Sequence, residues 1–264
     1  MTFYEWFFHM SEKPIIDNPY VDGRYGLAHI STIIISILLA VGIYFIYKYS
    51  KNKNLTRKII IYTLAGTLIM FEVLIRIVRF RAYADTLTFK TVMWILIPRP
   101  WCAVSCWLLM LSPFVNKKFF YNLACMCGLL NSVFYFISPG VGFTNQIYVF
   151  ENWYSILTHA LLLVTAVSLM TLKFTEFKYK NIWKETIAIV LMFLYSGMII
   201  GLDFYSDPMY YMPNGDIQAG ILGIDYGLYI TLYIVFLLAY INAFYLISER
   251  KRIFKKKCKY EYIG

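Results

Sequence analysis

The chain has 264 residues, 60% of them hydrophobic and only 15% charged, with mean hydropathy +0.59 and a formal net charge of +10. A soluble domain of this length cannot hide that much apolar surface, which excludes a water-soluble globular fold. The positive balance would suit a nucleic-acid partner, but the basic residues are segregated along the chain in a way that points to membrane topology instead.

Residues 1–26 carry Phe3, Tyr4, Trp6, Phe7 and Phe8 and lack the basic start and small-residue cleavage site of a signal peptide. They are expected to form an interfacial segment, where aromatic rings sit well. Seven apolar stretches follow: Leu27–Tyr47, Lys58–Val78, Thr91–Leu111, Phe119–Ile137, Trp153–Leu172, Trp183–Leu202 and Tyr226–Ile247. About twenty apolar residues at 1.5 Å rise cross a hydrocarbon core of roughly 30 Å, and only helices satisfy their amides there. The expected fold is therefore all-α, a polytopic seven-helix membrane domain over 27–247, with short connections and a basic tail at 248–264. A multi-pass protein of the cell membrane is implied.

Eighteen basic residues fall on one side: Lys48 to Lys58 after the first stretch, Lys117 and Lys118 after the third, Lys173 to Lys184 after the fifth, and seven in Arg250–Lys259. The other side holds Lys13, Arg24, Arg79, Arg81 and Lys90 and most of the acidic residues. Positive residues stay inside, so the N-terminus is expected outside and the C-terminus in the cytoplasm. The tail could contact anionic lipid or act as a topology anchor alone.

Polar groups inside the membrane are costly and mark where chemistry is to be sought. The second stretch carries Glu72, Arg76 and Arg79, with Glu72 and Arg76 at the i, i+4 spacing of an intrahelical ion pair. The third reads Ile97-Pro98-Arg99-Pro100-Trp101-Cys102, and its two prolines predict a kink or break that Glu72 and Arg76 should face. Asn131 and Ser132 follow in the fourth, which ends at Ser138-Pro139-Gly140; Glu151, Asn152 and His159 come in the fifth. Cys102 lies roughly 16 Å below Thr91, and His159 roughly 9 Å below Trp153. Together with Asp203, these groups are expected to converge in the outer half of the membrane. Cys102 and His159 suit a thiol nucleophile with an imidazole base, while Cys106, one turn deeper, carries no assigned role.

Other readings are weaker. Cys102, Cys106, Cys125 and Cys127 match a four-ligand metal site by number, but equally match small packing residues. The loop Asp203–Asp225 could hold a divalent cation, yet lacks calcium-loop spacing. Gly140-Val-Gly142 is not a phosphate loop. No internal repeat of the transporter kind is evident.

At Ile97–Cys102 the chain resembles the Leu-Pro-Leu-His-Leu-Cys signature of YwaF-type bacterial integral membrane proteins, a family that includes the eukaryotic transmembrane protein 164. Gly128, Asn131 and Pro139 resemble that family's next segment, and Glu151 to His159 its aromatic-rich stretch ending in histidine. Pro100 stands where the signature has its histidine. The resemblance implies phospholipid acyl transfer through a cysteine and a histidine, which map to Cys102 and His159.

The expectation is thus an acyltransferase at the outer leaflet. Cys102 would take a fatty acyl chain from a phospholipid and pass it to a lysophospholipid or a lipoprotein. Arg76, Arg79 and Arg99, with Glu72 and Asn131 beside them, would hold the headgroup. Membrane phospholipids are the expected partners, with no cofactor, metal or nucleic acid. The alternatives are a lipid or small-solute transporter without covalent chemistry, and a non-catalytic membrane scaffold.

Overall fold

A peptide group in lipid has no partner except another peptide group, and this chain answers with helices; no strand occurs among the described residues. The computed structural model describes residues 7–8, 25–137, 143, 149–205, 209–213 and 222–261, without the side chains of 250–261. Residues 138–140, most of the N-terminal segment, Asp207, Asn214 and Asp216 lie outside the described residues.

The helices are α1 (Leu27–Tyr49), α2 (Lys53–Ala82), α3 (Phe89–Leu96), α4 (Trp101–Val115), α5 (Lys118–Ile137), α6 (Phe150–Thr171), α7 (Ile182–Gly201) and α8 (Tyr226–Glu261). Among the described residues six spans are long and apolar enough to cross a membrane, and α3 with α4 makes a seventh if a span bent by 60° counts as one. Large side chains such as Ile34, Leu38 and Phe45 on α1, or Leu191 and Leu194 on α7, are exposed. On a soluble protein such surfaces would aggregate; here they are what a bilayer covers.

The chain divides into two compact units, Met1–Phe174 and Thr175–Gly264. In the first, α5 packs against both α4 and α6, α2 lies on α4 and α6, and α1 lies on α6 and α2. Its interior is built from Leu109, Ala124, Cys125, Met126, Leu162, Ala166 and Leu169, all fully or almost fully buried. Two local devices keep α4 intact. Pro113 has no N–H to give the Leu109 carbonyl, and the Ser112 hydroxyl donates to it instead at 2.8 Å. The helix then stops on Asn116 in the left-handed conformation.

Gly128 on α5 sets how closely α4 and α6 approach. A Cβ there would stand 2.7 Å from Leu109 Cδ1 and 3.4 Å from Ala166 Cβ. Leu109 is fully buried, so its side chain can yield only by shifting against the neighbours that enclose it. Gly128→Ala is therefore expected to destabilise the first unit by about 1–3 kcal/mol through overpacking, read as a lowered midpoint of thermal unfolding in detergent. An unchanged midpoint would mean that the three helices are not closely packed here.

In the second unit α7 packs on α8, with a 3₁₀ turn at Tyr179–Asn181 leading into α7. The basic tail continues as part of α8, which runs 36 residues without a break. Three hydroxyls along one face of α8 hold the preceding loop: Tyr226 donates to the Tyr211 carbonyl, Tyr229 to that of Tyr210, and Tyr233 to that of Met209. Asp225 Oδ1 accepts the backbone N–H groups of Gly227 and Leu228 at 2.8 and 3.2 Å. That is a helix cap.

Candidate functional site at the break in the third span

The prolines act as the sequence predicts. The residue before a proline is pushed out of the helical region, and Ile97, before Pro98, is extended at ψ 133°; Pro100 itself is extended at ψ 156° and caps the start of α4. The break leaves helix-end groups without partners inside an apolar span: carbonyls at the end of α3 and amides at the start of α4. A side chain from α2 takes up one of them. Arg76 Nη2 donates to the Leu96 carbonyl at 3.3 Å, so Arg76 does face the bend.

Glu72 is the centre of this arrangement and is 4% exposed. Its Oε2 accepts from Arg76 Nη1 at 2.5 Å and from the Trp107 indole at 3.0 Å, and its Oε1 accepts the Tyr154 hydroxyl at 2.6 Å. A buried carboxylate is tolerable only when paired and hydrogen-bonded, and here α2, α4 and α6 all supply donors. The Arg76 guanidinium also lies over the Trp107 ring, 5.3 Å from its centroid.

A turn further along α2, Arg79 Nη2 lies 3.8 Å from Glu151 Oε1, at the first turn of α6. Two guanidiniums lie over the Trp94 ring of α3, Arg79 at 5.7 Å and Arg99 at 3.7 Å from its centroid. The Nε–H of Arg79 is buried and makes no hydrogen bond among the described residues. Three arginines and two glutamates therefore meet where the span is broken.

Cys102 is the second residue of α4, half-buried, in the helix's first turn beside the amides of Cys102 and Ala103, with Glu72 and Arg79 within electrostatic reach. Helix-start amides are donors of the kind that hold anions. Cys106, fully buried, faces the Glu72 carboxylate. Sequence reasoning gave it no role; the structure puts it in the cluster. Asn131 is occupied differently, its amide donating to Ser105 Oγ at 2.7 Å and to the Cys127 carbonyl at 2.9 Å, which ties α5 to α4.

His159 sits in an aromatic setting on α6. Its ring stacks on Tyr135 of α5 at 3.6 Å and 6°, and its Nδ1 lies 2.7 Å from the Ser155 carbonyl. A carbonyl only accepts, so Nδ1 carries the hydrogen and Nε2 keeps the lone pair of the neutral ring. Cys102 and His159 are thus each placed by other groups, and no hydrogen bond joins them among the described residues. Asp203, expected in the same cluster, ends α7 in the second unit with a left-handed backbone. No three His, Cys, Asp or Glu side chains are grouped as a metal would need among the described residues.

The helices and the buried arginine–glutamate cluster define a polytopic helical membrane protein with a polar site inside one broken span. A family model described as the TMEM164 family matches residues 24–254, and the chain belongs to that family. No curated protein and no solved structure matches it.

Proposed function

We propose that this protein is a thiol-dependent acyltransferase acting on membrane phospholipids. The observation that carries this reading is the position of Cys102: in the first turn of α4, half-buried, with three arginines gathered at the same break. An ester linkage beside a phosphate suits that combination, the arginines for the anion and the thiol for the carbonyl carbon. Arg79, with an Nε–H that makes no hydrogen bond among the described residues, and Arg99, stacked on Trp94, are the residues proposed to meet the headgroup. Glu72 and Arg76 brace the break.

In the proposed reaction His159 Nε2 removes the Cys102 proton. The thiolate attacks the ester carbonyl, forming a C–S bond and breaking the ester C–O bond, and the departing lysophospholipid oxygen takes the proton from the imidazolium. A hydroxyl or amine of the acceptor, a lysophospholipid or a lipoprotein, then gives its proton to His159 and attacks the thioester. The C–S bond breaks, and the departing thiolate takes that proton from the imidazolium, which restores the thiol and the neutral ring. His159 must approach Cys102 in the substrate complex, as catalytic hydrogen bonds often tighten only there. The test is acyl exchange between phospholipid and lysophospholipid in vesicles containing the purified protein, expected for wild type and absent for Cys102→Ser.

The proposal places the site at the outer leaflet of the cell membrane, with the N-terminus outside and the C-terminus in the cytoplasm, because eighteen basic residues share one side. Cysteines introduced at Asp85 and Lys180, both exposed, are expected to react with an impermeant reagent from outside and inside respectively. Reaction of both from one side would overturn the topology.

A further inference from the structure

The face of α2 that carries Glu72 towards one end carries Arg57 towards the other, roughly 22 Å away along the helix. Ile61, Ala65 and Leu68 lie between them at the same spacings of three and four, all buried. The Arg57 guanidinium lies over the ring of Phe174, 5.4 Å from its centroid. Lys118, which begins α5, donates from Nζ to the carbonyl of the same Phe174 at 2.9 Å and to that of Lys173 at 3.3 Å. The Tyr121 ring stands 5.1 Å from the Phe174 ring. Phe174 thus gathers one cation from α2 and one from α5 just past the end of α6.

The two ends of α2 differ in how their cations are balanced. Arg76 and Arg79 each lie beside a glutamate. Arg57 and Lys118 have no carboxylate partner among the described residues, and the stretches 48–58, 113–121 and 171–174 contain no aspartate or glutamate. The Nε–H of Arg57 is buried and makes no hydrogen bond among the described residues, and Lys118 uses two of its three N–H donors. A buried cationic donor without an acceptor is costly, and a phosphate oxygen answers both charge and hydrogen bond.

We propose that Arg57 and Lys118 form a binding site for the headgroup phosphate of an acidic phospholipid, at the end of α2 opposite the Glu72 cluster. A lipid fits better than a free anion because the site adjoins lipid-facing rings. Tyr62 on α2 and Phe114 on α4, both exposed, meet edge-on at 5.7 Å, and the Tyr121 hydroxyl lies within electrostatic reach of both Tyr62 and Arg57. Acyl chains lie along such rings while the headgroup enters a basic pocket between helices. The site stands on these contacts whether or not acyl transfer occurs.

The test is binding of phosphatidylglycerol to the full chain in detergent micelles, read by native mass spectrometry in about 0.5 M salt, where screening shortens the reach of exposed charges to a few ångströms. Arg57→Lys keeps the charge and loses the Nε–H with its planar fork. Its affinity is expected to fall about tenfold or more, the usual effect of losing a hydrogen bond to a charged group. Lys58→Gln, one position along and exposed, is expected to bind as wild type. Wild-type affinity in Arg57→Lys, or an equal fall in Lys58→Gln, overturns the site and leaves diffuse attraction to a basic surface. If Arg57→Lys lowers the midpoint of thermal unfolding, Lys118→Gln carries the same expectation against Lys58→Gln. Displacement of the lipid by an equimolar amount of inorganic phosphate would overturn the lipid as occupant.

Discussion

Glu72→Ala is expected to cost about 3–5 kcal/mol of stability, the usual loss when one member of a buried ion pair is removed. Arg76 would keep its charge inside the span with its main partner gone, and the Trp107 indole and Tyr154 hydroxyl would each lose an acceptor. Much of that loss comes from the orphaned charge and not from the bond itself. Glu72→Ala/Arg76→Met should accordingly be more stable than Glu72→Ala alone, because removing both charges leaves less unpaired. Thermal unfolding in detergent, followed by aggregation or tryptophan fluorescence, checks both. If Glu72→Ala unfolds at the wild-type midpoint, the carboxylate is not the brace of the break.

What the sequence shows of this site divides by distance along the chain. The break was legible because proline is a local signal: Pro98 and Pro100 remove donors and push their preceding residues out of the helix wherever they occur. The Glu72–Arg76 pair was legible for the same reason, since i, i+4 partners face each other on any helix. Trp107 and Tyr154 were not. They lie 35 and 82 positions from Glu72, and an aromatic residue in an apolar stretch reads as packing until the fold brings its polar atom to a carboxylate. Cys106 was missed similarly, since its spacing from Cys102 shows a shared face but not that Glu72 lies opposite. Asn131 was read as a site residue for being polar in a membrane; that its amide joins α5 to α4 was not legible, since Ser105 lies 26 positions away. Six of the seven expected spans were legible from hydropathy, because length and apolarity are what a bilayer selects, and the seventh is the bent pair of α3 and α4.

Cys102→Ser is expected to lower acyl transfer about a thousandfold or more, as loss of a nucleophile does in enzymes whose groups act as a unit. Serine has a similar shape, so folding should persist, but its hydroxyl is a far poorer nucleophile without strong activation. His159→Ala should lower transfer about 100- to 10,000-fold, the usual range for a general base, and leave the Glu72 cluster in place. Cys125→Ala is the appropriate control, since that thiol donates to the Ala166 carbonyl at 3.4 Å within the core of the first unit. Cys106 is not a neutral control, because it faces Glu72.

The central claim is that Cys102 becomes acylated. Its most direct test is the mass of the Cys102 peptide after the purified protein is held with phospholipid vesicles and no acceptor. The proposal predicts a fatty-acyl adduct on Cys102 that hydroxylamine removes and that Cys102→Ser lacks; an unmodified thiol under those conditions would contradict it.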